Sequence, residues 1–407
     1  MSNPSVIIVG GGIGGCAAAL ALRRAGCRVD VYEQASEKAE VGAGIQISPN
    51  ASRLLQRYDL GAELESVAIR PVATEVRRWQ DGKVISREDL GEPVAAAYGA
   101  PYYHVHRADL LRILSRPIKD ALHLAKRCIR VVENDQCVRA EFQDGSFAEA
   151  DLLVGADGIH SVVREHLFGN ELPRFSGNVA YRGLVPAERV ARLGIEFKST
   201  IWMGPRGHFV HYYVSSGRYL NFVAVTEQSN WTRESWTDRA DLAEIHTYYE
   251  GWHPQIHAIL DGVETTFKWA LFDREPLSAW GKGRVTLLGD ACHPMLPYMA
   301  QGAAQAIEDG AVLAACLQAG HGEKLSDLLR DYEAIRQPRT AAIQALARKN
   351  STTSHLPDSP AQQERDALMA AGRTERNPSG LSSARAMIFD YDAEVLPPRY
   401  VASRAST

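Results

Sequence analysis

Ser5 to Glu33 reads SVIIVGGGIGGCAAALALRRAGCRVDVYE, and this stretch decides the fold. Its opening SVIIV is a short β-branched run bounded by glycine, the pattern of a strand buried on both faces of a parallel sheet. The run enters Gly10-x-Gly12-x-x-Gly15. The first glycine allows a tight turn, the second lets the backbone approach a pyrophosphate, and the third lets the next helix sit close to the strand. Cys16 to Ala25 is rich in helix formers, so the motif opens a helix whose N-terminal amides can bind phosphate oxygens. Gly26 ends that helix. Cys27 to Tyr32 predicts a second strand, which delivers Glu33 where a carboxylate can accept hydrogen bonds from both ribose hydroxyls of an adenosine. Glycine spacing alone is weak evidence; strand, turn, helix, strand and acid in order predict a bound dinucleotide. The acid also argues against a 2'-phosphate at this ribose. These residues allow FAD or NAD.

Around this stretch, 407 residues imply two or three folding units, and 45 % apolar residues suffice for buried cores. A formal charge of -4 offers no field to hold a nucleic-acid backbone, so no nucleic-acid partner is expected. The 6 cysteines contain no C-x-x-C, which signals neither a disulfide scaffold nor a zinc site, and no metal is expected. A reducing, cytoplasmic setting fits best. The apolar N-terminus is broken by glycines and has no basic leader, so a secretion signal is the weaker reading. No run reaches the roughly 18 apolar residues that span a bilayer, so no membrane partner is expected.

Further along, Ala51 to Tyr58 predicts a helix, Pro71 to Leu90 a hairpin about Asp81-Gly82, and His104 to Ser115 a helix. From Val179 to Glu227 strand-like alternation predicts a second, antiparallel sheet. Leu242 to Leu260 reads as helix, Arg284 to Leu288 as a buried strand, and Ala303 to Gln318 as a long helix. Ser351 to Pro360 is polar and turn-rich, and the last ten residues read as frayed.

Two later motifs separate FAD from NAD. Asp151 to Arg164 reads DLLVGADGIHSVVR, and Arg284 to Pro294 reads RVTLLGDACHP. With GGGIGG they resemble the three fingerprints of the single-component FAD-dependent aromatic hydroxylases, the para-hydroxybenzoate hydroxylase-like family, over residues 5 to about 316. The resemblance implies an α/β fold: an FAD-binding Rossmann-like domain of the glutathione reductase type, an inserted antiparallel-sheet substrate domain and a C-terminal helical segment. The expected boundaries are 1–75, 101–178 and 276–345 for the FAD domain, 76–100 and 179–275 for the substrate domain, and 346–407 for the C-terminal segment.

By that resemblance Gly10, Gly12, Gly15 and Glu33 hold the ADP half of FAD, Arg107 lies near the phosphates or ribityl chain, and Asp290 hydrogen-bonds a ribityl hydroxyl. Asp157 belongs to a motif serving the flavin and the docking of reduced pyridine nucleotide. Backbone amides near Gln301, Gly302 and Ala303 face the pyrimidine end of the flavin, where a helix N-terminus stabilises the negative charge of the reduced ring. Only one complete glycine fingerprint exists, so NADH or NADPH is expected as a transient electron donor without a Rossmann domain of its own.

Oxygen transfer from such a flavin to an aromatic ring is faster when the ring bears a phenolate, so the protein must help deprotonate a phenol and exclude water. Strand HFVHYYV offers two faces, with Phe209, His211 and Tyr213 on one and His208, Val210 and Tyr212 on the other. The resemblance around GPRGHFVHY favours the His211 face, with His211 as base, or else as a histidine bonded within the sheet. Tyr298, Tyr213 and Gln46 are further pocket candidates, with Phe209 and Pro294. Asp290 to Leu313 looks most like the salicylate hydroxylase branch, with 6-hydroxynicotinate and 3-hydroxybenzoate hydroxylases close behind. The leading expectation is decarboxylative hydroxylation of a hydroxy-aromatic carboxylate with dioxygen. The alternatives are plain hydroxylation of a phenol, hydroxybenzoate or pyridine carboxylate and, in another class, a non-catalytic FAD-binding redox sensor. The C-terminal segment is a candidate for homodimer contacts, which its composition does not decide.

Overall fold

The glycine-bearing stretch folds as strand Ser5–Val9, helix Ile13–Arg24 and strand Arg28–Tyr32. They belong to a computed structural model that describes residues 4–36, 43–228, 238–320, 323–372 and 382–397. The last ten residues of the chain, expected to be frayed, lie outside the described residues.

Ser5–Val9 is central in a six-stranded sheet. The order is Gly281–Lys282, Val285–Leu287, Leu152–Gly155, Ser5–Val9, Arg28–Tyr32 and Leu122–His123. Every neighbouring pair is parallel except the edge strand Gly281–Lys282. Ile8, Leu152, Leu153 and Val285 are wholly buried, which explains the uninterrupted apolar runs: a parallel strand covered on both faces has no polar side to present. Helix Ile13–Arg24 shares one large core with helix Gly302–Ala319.

The second sheet has eight strands, ordered Asp238–Ala240, Thr266–Asp273, Arg174–Pro186, Tyr219–Glu227, Gly207–Val214, Ser199–Gly204, Ala73–Arg78 and Val84–Asp89. The hairpin about Asp81-Gly82 forms as predicted, since Ala73–Arg78 and Val84–Asp89 pair antiparallel. The sheet departs from the expected antiparallel pattern at one place: Ser199–Gly204 pairs parallel with Ala73–Arg78. More than a hundred residues of chain separate these two strands, so no hairpin constrains their direction.

Two other expectations shift. His104 does not begin a helix: Tyr103–His106 is a strand paired with Gly44–Ile47, and the helix starts at Arg107. Leu242 to Leu260 is broken into Leu242–Tyr248 and Pro254–Leu260, with Gly251 at φ +78° and Pro254 opening the second helix. Towards the C-terminus, helix Leu325–Ser354 extends into the segment expected to be turn-rich, followed by helices Pro360–Ala370 and Ser383–Asp390. The last helix is tied to helix Pro49–Arg57, because Arg53 donates to the carbonyls of Phe389 and Tyr391.

Candidate active site

A cavity of about 1000 Å³ runs from the glycine turn to the inner face of the eight-stranded sheet. At its first end the backbone does the shaping. Gly10 sits at φ +107°, and a Cβ there would stand 2.3 Å from the Ala156 carbonyl oxygen; one on Gly15 would stand 1.9 Å from that of Gly10. Only glycine fits either place. Around Gly12, by contrast, a Cβ would meet nothing within 4 Å, so a ligand can approach the backbone. Helix Ile13–Arg24 has no side-chain cap and no acid in its first turn, which leaves its amides to a phosphate. Glu33 accepts from Gly11 N at 2.7 Å and Ala35 N at 2.8 Å, so its carboxylate is fixed beside the turn.

Further in, Arg107 and Asp290 both line the cavity. Burial raises the Asp290 carboxyl above the usual carboxylate range, while His293 and Arg107 pull it down. Gln301, Gly302 and Ala303 line the same space at the start of helix Gly302–Ala319, and a Cβ on Gly302 would meet nothing within 4 Å. The open backbone at Gly12 and Gly302, with an acid between them and an uncapped helix at one end, fits an extended dinucleotide carrying a flavin. Asp157 plays a different part from its neighbours. Ala156 and Gly158 line the cavity, but Asp157 turns away and accepts from Val162 N at 2.8 Å and Val163 N at 3.2 Å, holding the start of the next helix.

Beneath helix Gly302–Ala319 lies a buried polar network that the sequence reading missed. Arg336, 0 % exposed, bonds Glu308 at 2.5 Å and Asp309 at 2.7 Å, and Arg339 bonds Glu308 at 2.8 Å. Asp309 also accepts from Gly289 N at 2.8 Å and meets His293 at 2.6 Å. Burial opposes ionisation of Asp309, yet His293 and Arg336 bring its carboxyl down to about 2. Asn50, Gln301 and Ser48 continue the network to the cavity wall, where Gln301 donates to Ser48 Oγ at 2.9 Å. These groups hold the Gly289-Asp290 turn and the Gln301 backbone in one frame. Glu308-Asp309 was legible as sequence, but its partner 27 residues away was not.

At the far end the strand Gly207–Val214 presents His208, Val210 and Tyr212 to the cavity. This corrects the expected face. Phe209 stacks on Phe222 and meets Tyr249 edge-on, and Tyr213 joins the same apolar core, which includes Ile245, Ile256 and Ile259 of the two helices behind the sheet. Those helices need an apolar surface, and burying a ring of this size is worth about 2 kcal/mol, so Phe209 and Tyr213 face them. His211 goes with them: its Nε2 accepts from Trp202 Nε1 at 3.1 Å, on the side away from the cavity. Alternation separates two faces without saying which one a helix will cover.

Of the remaining pocket candidates, Gln46, Pro294 and Tyr298 do line the cavity. Gln46 accepts from Tyr102 Oη at 2.6 Å and donates to Ser199 Oγ at 3.3 Å. Tyr298 lies 5.0 Å from His208, ring to ring, and burial raises its pKa. His208 Nδ1 is 2.8 Å from Nε2 of His355, whose Nδ1 is 3.4 Å from Glu227 Oε1. Burial, with His355 adding to it, holds His208 well below the usual imidazole range, and burial lowers His355 to about 4. Arg385 and Glu88 form an ion pair beside Tyr102, and both line the cavity.

The chain matches the FAD binding domain family over residues 3–347. It is 43 % identical over 370 residues to 3-amino-4-hydroxybenzoate 2-monooxygenase of Streptomyces platensis, covering 90 % of this chain and 93 % of that one. It is 36 % identical over 362 residues to 6-hydroxynicotinate 3-monooxygenase of Bordetella bronchiseptica, covering 88 % and 94 %. The solved structure of Klebsiella pneumoniae HpxO with FAD and uric acid superposes with a TM-score of 0.83 at 28 % identity, covering 97 % of each chain. Among the described residues no helix is long and apolar enough to cross a membrane. The chain that carries the glycine turn, the Gly289-Asp290 turn and the helix at Gly302 therefore belongs to the FAD-binding domain family and is an FAD-dependent aromatic monooxygenase.

Proposed function

We propose that the enzyme hydroxylates the ring of a para-hydroxybenzoate carrying a further small substituent, such as an amino group, and keeps the carboxylate. The observation that carries this reading is the His208 imidazole, which faces the same cavity as Asp290 and Gly302 and is backed by His355. Bound FAD, reduced by NADH or NADPH, activates dioxygen and supplies an electrophilic oxygen atom. The chain's own residues bind the ring, orient it and remove a proton.

We assign the tautomers from the neighbours of each ring. With the Glu227 carboxylate 3.4 Å from its Nδ1, His355 is taken to carry its proton there and to offer Nε2 as acceptor. His208 then donates Nδ1–H to His355 and leaves its Nε2 lone pair for a ligand in the cavity. A phenol there passes its proton to His208 Nε2, His208 passes Nδ1–H to His355, and His355 passes its own to Glu227. Glu227 is 45 % exposed on its side chain, so the proton reaches water without water entering the cavity. Neither imidazole holds a proton strongly, which suits a conduit. Tyr212 stands four residues from His208, about 13 Å along the strand. Arg385 on the same cavity can meet a carboxylate while the hydroxyl lies at His208, and a para relation between the two groups follows the name of the Streptomyces platensis relative. The name of the Streptomyces platensis relative likewise puts oxygen at ring position 2, away from the carboxyl carbon. That name weighs against the decarboxylative expectation.

The test is a panel of ortho-, meta- and para-hydroxybenzoates and their amino derivatives, scored by anaerobic flavin bleaching with each nicotinamide and by product mass. Fastest bleaching with a para compound and a product heavier by one oxygen are expected. Carbon dioxide released in step with nicotinamide oxidation, or a preference for salicylate, would overturn the substrate assignment. Nicotinamide oxidation that yields only hydrogen peroxide with every ligand would favour the redox sensor.

A further inference from the structure

The outer face of the same strand opens on a second cavity, of about 560 Å³, which the aromatic hydroxylation does not use. His211 and Thr200 form its floor, each 1 % exposed, and Arg77, Lys198, Arg192 and His253 stand around it. Trp202 has only a donor to offer, so His211 Nε2 must accept and the ring proton must sit on Nδ1. That Nδ1 is buried and has no acceptor, and Thr200 Oγ1 beside it also has no partner. An unmet buried donor is costly, and two of them facing one space mark a place where something with oxygen lone pairs belongs.

The charges point the same way. Glu75 is shared by Arg77 at 2.6 Å, Lys198 at 3.0 Å and Arg87 at 3.3 Å, with Glu196 and Asp89 as outer partners of Lys198 and Arg87. Of the charged residues lining the cavity, Arg77, Lys198 and Arg192 are cations and Glu196 is an acid, with Glu75 bonded to Arg77 and Lys198 behind them. Burial, with Arg77 and Lys198 adding to it, holds His211 at about 3, so it meets a ligand as a neutral donor. We propose that this cavity is a binding site for a small oxyanion, a phosphate or a carboxylate, held by His211 Nδ1–H and Thr200 Oγ–H and flanked by Arg77 and Lys198. The eight-stranded sheet separates it from the cofactor cavity, so it is a second site and not an extension of the first.

Calorimetric titration of the FAD-loaded enzyme with inorganic phosphate and, separately, with malonate tests the proposal, and the stronger of the two identifies the source of the oxyanion. One equivalent per chain is expected, unaffected by saturating aromatic substrate. Thr200→Val keeps the shape and removes the hydroxyl, and Lys198→Met removes a flanking charge; each is expected to weaken binding roughly tenfold or more while FAD content is unchanged. Nδ1 of His211 is expected to shift in nitrogen NMR on binding. No heat with either anion, binding displaced by the aromatic substrate, or affinity unaltered in both variants would overturn the site. Failure of the ring-hydroxylation reading would leave this test intact, since its readout is anion binding.

Discussion

His208 and His355 stand 2.8 Å apart, Nδ1 to Nε2, although 147 residues separate them in the chain. The first lies on a strand that walls the cavity, the second at the end of a thirty-residue helix. If the pair moves the phenolic proton, His208→Gln lowers kcat by roughly 10²–10⁴ with FAD content intact. His355→Phe costs less, and slows phenolate formation followed by stopped-flow absorbance. Equal, normal phenolate rates in both variants would remove the relay.

Gly10→Ala places a methyl against the Ala156 carbonyl at a backbone angle that strains any other residue. The strain is about 1–3 kcal/mol, and the turn that cradles the dinucleotide is its location. Purified Gly10→Ala should emerge with little FAD, and flavin absorbance per chain measures it. Full yellow occupancy would show that the turn tolerates the methyl.

Arg336→Met strands Glu308 and Asp309 in the core without their main cation. Breaking a buried pair in this way costs about 3–5 kcal/mol. A fall in thermal midpoint of the FAD-loaded enzyme is expected, together with weaker flavin binding, because Asp309 also holds the Gly289 amide.

Acid stability follows from the buried imidazoles. His104 and His211 are held at about 3 and His355 at about 4 by burial, against 6.5 for an exposed ring. Below 6.5 the unfolded chain takes up protons that the folded chain refuses, so stability falls as pH drops from 6.5 towards 4 and is level above 6.5. Denaturant midpoints across this range measure the slope. His104→Phe should flatten it, since both nitrogens of that ring lack partners; an unchanged slope would mean that His104 takes up its proton in the folded state.

Arg385→Ala is expected to raise KM for a carboxylate substrate roughly tenfold or more and to spare the uncharged phenol analogue. Steady-state kinetics with the two substrates decides it, and an equal effect on both would deny Arg385 its carboxylate.

The cofactor end was legible because it is made from contiguous motifs. Gly10 to Glu33 and Gly289-Asp290 each carry their own turn, and the backbone there shapes the cavity. The substrate end is made from separate strands and the C-terminal helices, so His355 and Arg385 had no local signal. The choice between His208 and His211 shows the boundary: period-two alternation sorted the strand into its two true sets, but only the two helices behind the sheet determine which set is covered. The thirty-residue helix ending at Ser354 was likewise hidden, since polar residues such as Thr353 and Ser354 read as turn formers while their helix leans on the cavity wall.

Helix Ser383–Asp390 is fastened by Arg53 to the element that opens with Pro49, and it carries Arg385 to the substrate wall. On the proposed reading the chemistry of recognition sits near the tail of the chain, while the cofactor end is assembled from its beginning and middle. A polypeptide cut short before Ser383 would stay coloured yet lose discrimination among acids, and drift confined to those few residues could change the diet of the enzyme without disturbing its oxygen chemistry.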